Sequence, residues 1–141
     1  MPGKGHFLMG IRQHVDEWLA AHGETVIGWR RHFHTHPELS HQERHTTEFI
    51  TTVLREHGMT PTLFPTTGLM VDIGPGVGPR IAFRADLDAL PIEETAPVAF
   101  RSASPGVMHA CGHDVHTAIV LALACALNTY PLTVGLRFIF Q

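Results

Sequence analysis

Cysteine is scarce in this sequence. Two in 141 residues exclude a scaffold stapled by disulfides. A long apolar run is missing as well: the longest, Ala118 to Leu127, has ten residues, whereas a membrane-spanning helix needs ~20. Basic charge is not in excess. Ten Lys+Arg against 13 Asp+Glu leave a formal net charge of −3 with histidine neutral, which argues against a partner held by a basic face, nucleic acid or anionic membrane. The opening residues, Met1 to His6, lack the apolar stretch of a secretory signal, so the expected compartment is the cytoplasm. Internal repeats and low-complexity segments are absent too.

What the chain does have is enough apolar surface for a core, 44% hydrophobic residues, in a length that fits one domain of ~100–150 residues. It also has 12 histidines, scattered along the chain. That number suggests metal or acid–base chemistry.

Ile11, Val15, Trp18, Leu19, Val26, Trp29 and Phe33 recur at helical spacing and predict a helix over about 10–35. Gly23 and Gly28 weaken it, and His36-Pro37 ends it. Ser40 with Glu43 reads as a capping box opening a second helix, which runs to His57 with Gly58 as its C-cap. The period then shortens. Thr60–Phe64, Leu69–Ile73 and Arg80–Ala85 read as strands, and residues 93–110 as a long surface loop. Asp114 can cap a third helix over about 115–128, apolar nearly all round and therefore buried. Leu132–Phe140 reads as a central strand apolar on both faces, with the third helix on one side and the first two on the other. Interleaved helices and strands make the class α/β.

Three strings carry chemistry. Met108-His109-Ala110-Cys111-Gly112-His113-Asp114-Val115-His116 places a thiol and imidazoles at the start of a helix. The helix dipole there favours a thiolate, and thiolate with imidazole suits zinc or a similar metal. The bland alternative is a helix cap with ordinary neighbours; the whole string in this place favours ligands. Arg84-Ala85-Asp86-Leu87-Asp88-Ala89-Leu90-Pro91 puts two carboxylates at the end of a strand. They can ligate a metal or orient a ligating histidine, or they form a strand-end turn paired with Arg84; alone the string decides neither. Arg30 to Leu39 contains His32, His34 and His36, whose alternate spacing does not share a helix face. His41-Gln42-Glu43-Arg44-His45 has its Glu in the third position, unlike a zincin helix. Both of these read as solvated histidines at a helix junction, and Cys125 reads as a core residue.

Taken together, Arg-Arg-His-Phe-His-Thr-His-Pro-Glu-Leu-Ser (30–40), Phe-Arg-Ala-Asp-Leu-Asp-Ala-Leu-Pro-Ile (83–92) and the 108–116 string resemble the N-terminal part of the dinuclear-metal amidohydrolases. These are the hippurate, N-acyl-amino-acid and auxin-conjugate hydrolases, related to zinc carboxypeptidases and aminoacylases. The resemblance spans residues 10 to 141. It implies an α/β fold, the N-terminal portion of a three-layer zinc-exopeptidase-like catalytic domain with a mixed sheet flanked by helices. It implies Cys111 and His113 as metal ligands, Asp86 in the catalytic machinery and Asp88 in support of it. The implied cofactors are two divalent ions (zinc, manganese, nickel or cobalt), and the implied substrate is an N-acyl amino acid or similar small amide. These side chains are expected together at one edge of the sheet.

Members of that family are much longer. Their paired glutamates, remaining histidine ligands, lid and dimerisation domain have no counterpart among these residues. One reading is therefore a truncated amidohydrolase, inactive alone, which self-associates or pairs with its missing half. The other is a small non-catalytic α/β module that binds a metal through Cys111, His113 and His116.

Overall fold

The computed structural model describes residues 10–141; Met1 to His6 lie outside them. The first helix, α1 (Ile11–Thr35), is continuous. Gly23 and Gly28 do not break it, because its packing against another helix outweighs about 1 kcal/mol per glycine. It ends at His36, as the following proline requires.

The second helix, α2 (Arg44–Glu56), begins differently from the sequence expectation. Ser40 is not its cap, and Glu43 at the N-cap makes no side-chain cap bond. The loop instead folds Glu38 over the helix start, where its carboxylate accepts the backbone N–H of His45 (3.1 Å) and of Thr46 (2.8 Å). A carboxylate at this end is favoured by the helix dipole. Glu43 turns inward and accepts the Thr67 hydroxyl at 2.8 Å. The C-terminus closes as expected: Gly58 adopts φ 76°, and the Met59 N–H donates to the Leu54 carbonyl at 3.0 Å.

Four strands follow: β1 (Thr62–Leu63), β2 (Leu69–Ile73), β3 (Arg80–Ala85) and β4 (Gly135–Phe140). The helix α3 (His113–Asn128) lies between β3 and β4 in the chain. The strands form one mixed sheet in the order β1-β2-β4-β3. β4 pairs antiparallel with β2 and parallel with β3, setting Phe138 between Val71 and Phe83. The sequence placed the start of β4 at Leu132; pairing begins at Gly135.

The register puts Leu69, Val71, Ile73, Leu136, Phe138, Phe140, Phe83 and Ala85 on one face. Nearly all are buried, and Phe83 stacks on Phe138 at 5.3 Å. The other face is mixed. Arg137 makes two hydrogen bonds to Asp72 there (2.7 and 2.8 Å), so β4 is not apolar on both sides. α3 packs on the sheet, and α1 and α2 pack against α3. The expectation that the first two helices cover the opposite face does not hold. Alanines 118, 122, 124 and 126 are buried in α3, whereas Val115 and Ile119 remain exposed at 39% and 56%; the helix is not buried all round.

Phe138 has no exposed surface at the centre of this arrangement. Phe138→Ala is expected to lower unfolding stability by about 3–5 kcal/mol, read as a fall in the urea midpoint with the m-value unchanged.

Candidate active site

β3 delivers its last residues to the end of the sheet. The Leu87 N–H donates to the Gln141 carbonyl at 3.0 Å and the Gln141 N–H to the Ala85 carbonyl at 3.1 Å, so the ladder holds the chain extended through Asp86. Asp86 and Asp88 therefore project on one side. Arg84 grips Asp86 Oδ1 through Nε (3.0 Å) and a terminal nitrogen (2.9 Å).

His113 opens α3. Gly112 before it takes φ 91°, a left-handed conformation suited to glycine. His113 Nδ1–H donates to Asp88, with the carbonyl at 2.8 Å and the carboxylate at 3.0 Å. This fixes the ring's orientation and leaves Nε2 as the nitrogen with a lone pair. Asp86, Asp88 and His113 line one cavity of about 620 Å³ together with Arg84, His41 and Glu43. The Thr117 hydroxyl, one turn into α3, donates to the Asp86 carbonyl at 3.2 Å and ties the helix to the strand end.

Cys111 is exposed on the turn two residues before His113, and it is not among the residues lining the cavity. His116 is exposed too, its ring centre 6.4 Å from that of His113. Among the described residues no three His, Cys, Asp or Glu side chains are arranged to hold a metal ion. The donors at this end nonetheless suit a divalent metal. A free thiol is at hand, and a histidine held by a carboxylate keeps one nitrogen open.

Behind His113 lies a buried polar network that the sequence reading missed. His34, taken there as solvated, is 5% exposed. Its Nδ1–H donates to Asp114 Oδ2 (2.8 Å) and its Nε2–H to Glu94 Oε1 (2.9 Å). Arg30, one turn earlier in α1, adds an ion pair to the same Asp114 oxygen at 2.9 Å. Asp114 is thus not the helix cap predicted for it; its carboxylate turns back to α1, and Gly112 takes the cap position. The stretch 93–110 is more than a surface loop, since Glu94 and His109 are buried in it. Arg30 lies 4.8 Å from the ring centre of Phe100, which closes the loop over α1. A cue was present in the sequence: Arg30 and His34 are one turn apart, beside the buried Trp29 and Phe33.

Burial alone would raise the Glu94 carboxyl. The bonds from His34 and from the Ser102 N–H outweigh it and hold Glu94 below the ordinary carboxylate range. Among the described residues His109 has no hydrogen-bond partner at either ring nitrogen. Burial lowers its pKa to about 4, with the Asp114 charge opposing.

Residues 82–141 match the profile of Peptidase family M20/M25/M40. The chain is 47% identical over 135 residues to an N-acyl-L-amino acid amidohydrolase of Geobacillus stearothermophilus, covering 93% of this chain and 35% of that protein. It is 49% identical over 123 residues to an N-acetyl-L-cysteine deacetylase of Bacillus subtilis, covering 84% of this chain and 29% of that one. A crystal structure of a dinuclear metal-binding M20-family peptidase from Bacillus subtilis superposes with a TM-score of 0.82 at 44% identity, covering 86% of this chain and 36% of that one. The α/β fold with a mixed sheet is therefore the one expected. The chain spans about a third or less of the curated relatives it matches.

Two outcomes follow from this geometry. His34→Ala leaves two buried carboxylates without their shared donor and is expected to cost about 3–5 kcal/mol of stability, read by urea unfolding. Glu94, with its folded pKa depressed, contributes stability that is present above its ordinary 4.5 and lost as pH falls through the folded value. Glu94→Gln should accordingly flatten the acid limb of stability against pH. Separately, burial pushes the Cys125 thiol up to about 12, while Cys111 is exposed. Iodoacetamide on native protein, followed by mass mapping, should label Cys111 and leave Cys125 unmodified.

Proposed function

We propose, from the match of residues 82–141 to the profile of Peptidase family M20/M25/M40, that this chain supplies part of the active site of a metal-dependent amidohydrolase. The bond cleaved is the amide of an N-acyl amino acid or a similar small amide. The observation that carries this reading is the hydrogen bond from His113 to Asp88, placed beside Asp86 on a cavity at the end of β3.

In this reading Cys111 and His113 hold metal, and the full site holds two divalent ions, with zinc, manganese, nickel and cobalt as the candidates. When bound, such ions polarise the amide carbonyl and lower the pKa of water. The chain's own residues prepare the place. Asp88 keeps the His113 ring in one tautomer with Nε2 free. Arg84 fixes Asp86, leaving its second carboxylate oxygen to face the cavity's contents. Thr117 ties the strand end to the helix, so that Asp86 and His113 keep their spacing.

The 141 residues are then the N-terminal portion of the catalytic domain, and the general base, the further ligands and the lid domain lie on other residues. The described residues gather no complete metal shell, which supports a shared site over a closed one built from Cys111, His113 and His116. Alone, the chain has no turnover, and it self-associates or pairs with the rest of its domain. The cytoplasm is its compartment; among the described residues no helix is long and apolar enough to cross a membrane.

The test grafts this chain into the Geobacillus stearothermophilus enzyme in place of its matching 135 residues. With added manganese or zinc the chimera should hydrolyse N-acetyl- and N-benzoyl-amino acids, and Cys111→Ala or His113→Ala should lower kcat/KM at least about 10²-fold. In the isolated 141-residue chain, Asp88→Asn should weaken zinc binding about 10–100-fold. Undiminished turnover in both ligand variants, or full turnover by the isolated chain, would refute the assignment.

A further inference from the structure

The end of α1 separates three histidines: His32 and His34 lie in its last turn and His36 is its C-cap. His34 turns into the buried network. His32 and His36, four residues apart, share the outward face, their ring centres 4.6 Å apart and tilted by 37°. The alternate spacing of the string conceals this pair, because its central member points elsewhere.

Both rings are held. His36 Nδ1–H donates to the His32 carbonyl at 2.9 Å. That bond fixes the tautomer and leaves the Nε2 lone pair free, as in a metal-binding imidazole whose other nitrogen is tied down. His32 stacks on Phe49 with centres 4.2 Å apart and planes within 18°.

The pair borders a cavity of about 580 Å³ that shares no lining residue with the one at Asp86 and His113. Across it stand His45 and Glu48 of α2. Glu38 also borders the cavity but is committed to the start of α2. The carboxylates make the surroundings favourable to a cation.

We propose that His32 and His36 form a second metal site, a two-nitrogen chelate for a divalent first-row transition ion, separate from the active-site cavity. No third protein ligand is in place among the described residues, so solvent completes the coordination. Imidazole donors select Zn, Ni or Cu over Mg or Ca. Two donors already held at the end of α1 bind with little further ordering, and the ion braces that end.

The experiment uses nickel alone as the probe, on the 141-residue chain carrying Cys111→Ser and His113→Ala so that the active-site donors are removed. Calorimetry should show one Ni²⁺ per chain. Adding His32→Asn or His36→Asn should weaken it at least about tenfold, while adding His22→Asn should change nothing; circular dichroism reports the fold of each variant. Substoichiometric Cu²⁺ should broaden the ring NMR signals of His32 and His36 before those of the other histidines, in a chain that needs no substitution at either. Unchanged nickel affinity in the His32 and His36 variants, absence of binding in the parent chain, or early broadening elsewhere with this pair spared would each overturn the proposal. Because the active-site donors are absent from the nickel experiment, failure here leaves the amidohydrolase reading standing, and failure of that reading leaves this site standing.

Discussion

A single imidazole ties the molecule together. His34 gives both of its N–H groups to carboxylates, one at the start of α3 and one in the stretch that leads to it. A charge removed from water demands partners, because desolvation is costly and an unmatched buried ion is costlier still. Each member of the set therefore fixes the next. Arg30 and His34 hold Asp114, Asp114 holds the first turn of α3, and Glu94 holds the chain that covers them. Such a network does more to specify one arrangement than to add net stability, since an apolar replacement of equal shape would pack without the desolvation cost.

The arrangement it specifies also sets the place of His113. Asp114 follows His113 directly, so fixing one carboxylate fixes the register in which His113 leaves the helix. On the cavity side Asp88 completes the hold by accepting from Nδ1. The polar network faces the interior and His113 faces the cavity, and one peptide unit separates the two. Hydrogen bonds through several elements can hold such a side chain to within about 0.5 Å.

The elements read from the sequence were those with a strong period. Leu69–Ile73 and Arg80–Ala85 alternate cleanly and appear with those bounds, and the stripe from Ile11 to Phe33 produces α1. The strings around Asp86 and His113 also meet at one cavity. Hidden were the residues whose roles depend on distant partners. His34 finds its acceptors 60 and 80 positions away, and no local pattern reports that. The cap of α2 was misread for a related reason: Ser40 and Glu43 satisfy the capping spacing, but the backbone path brings Glu38 to the helix start instead. Asp114 was taken for a cap because aspartate at a helix start ordinarily is one; Arg30 and His34 compete for it and win.

The place of β4 in the sheet has a consequence for how the chain acquires its shape. It is the last of the four strands in sequence yet occupies an interior position, between β2 and β3. β2 and β3 do not pair with each other, and each meets its main neighbour only through β4. During synthesis β2 and β3 stay unjoined until Gly135–Phe140 has left the ribosome. The contacts then made join residues far apart in sequence, which slows folding and prolongs exposure of sticky surface. The two halves of this sheet are joined only when β4 slots between them.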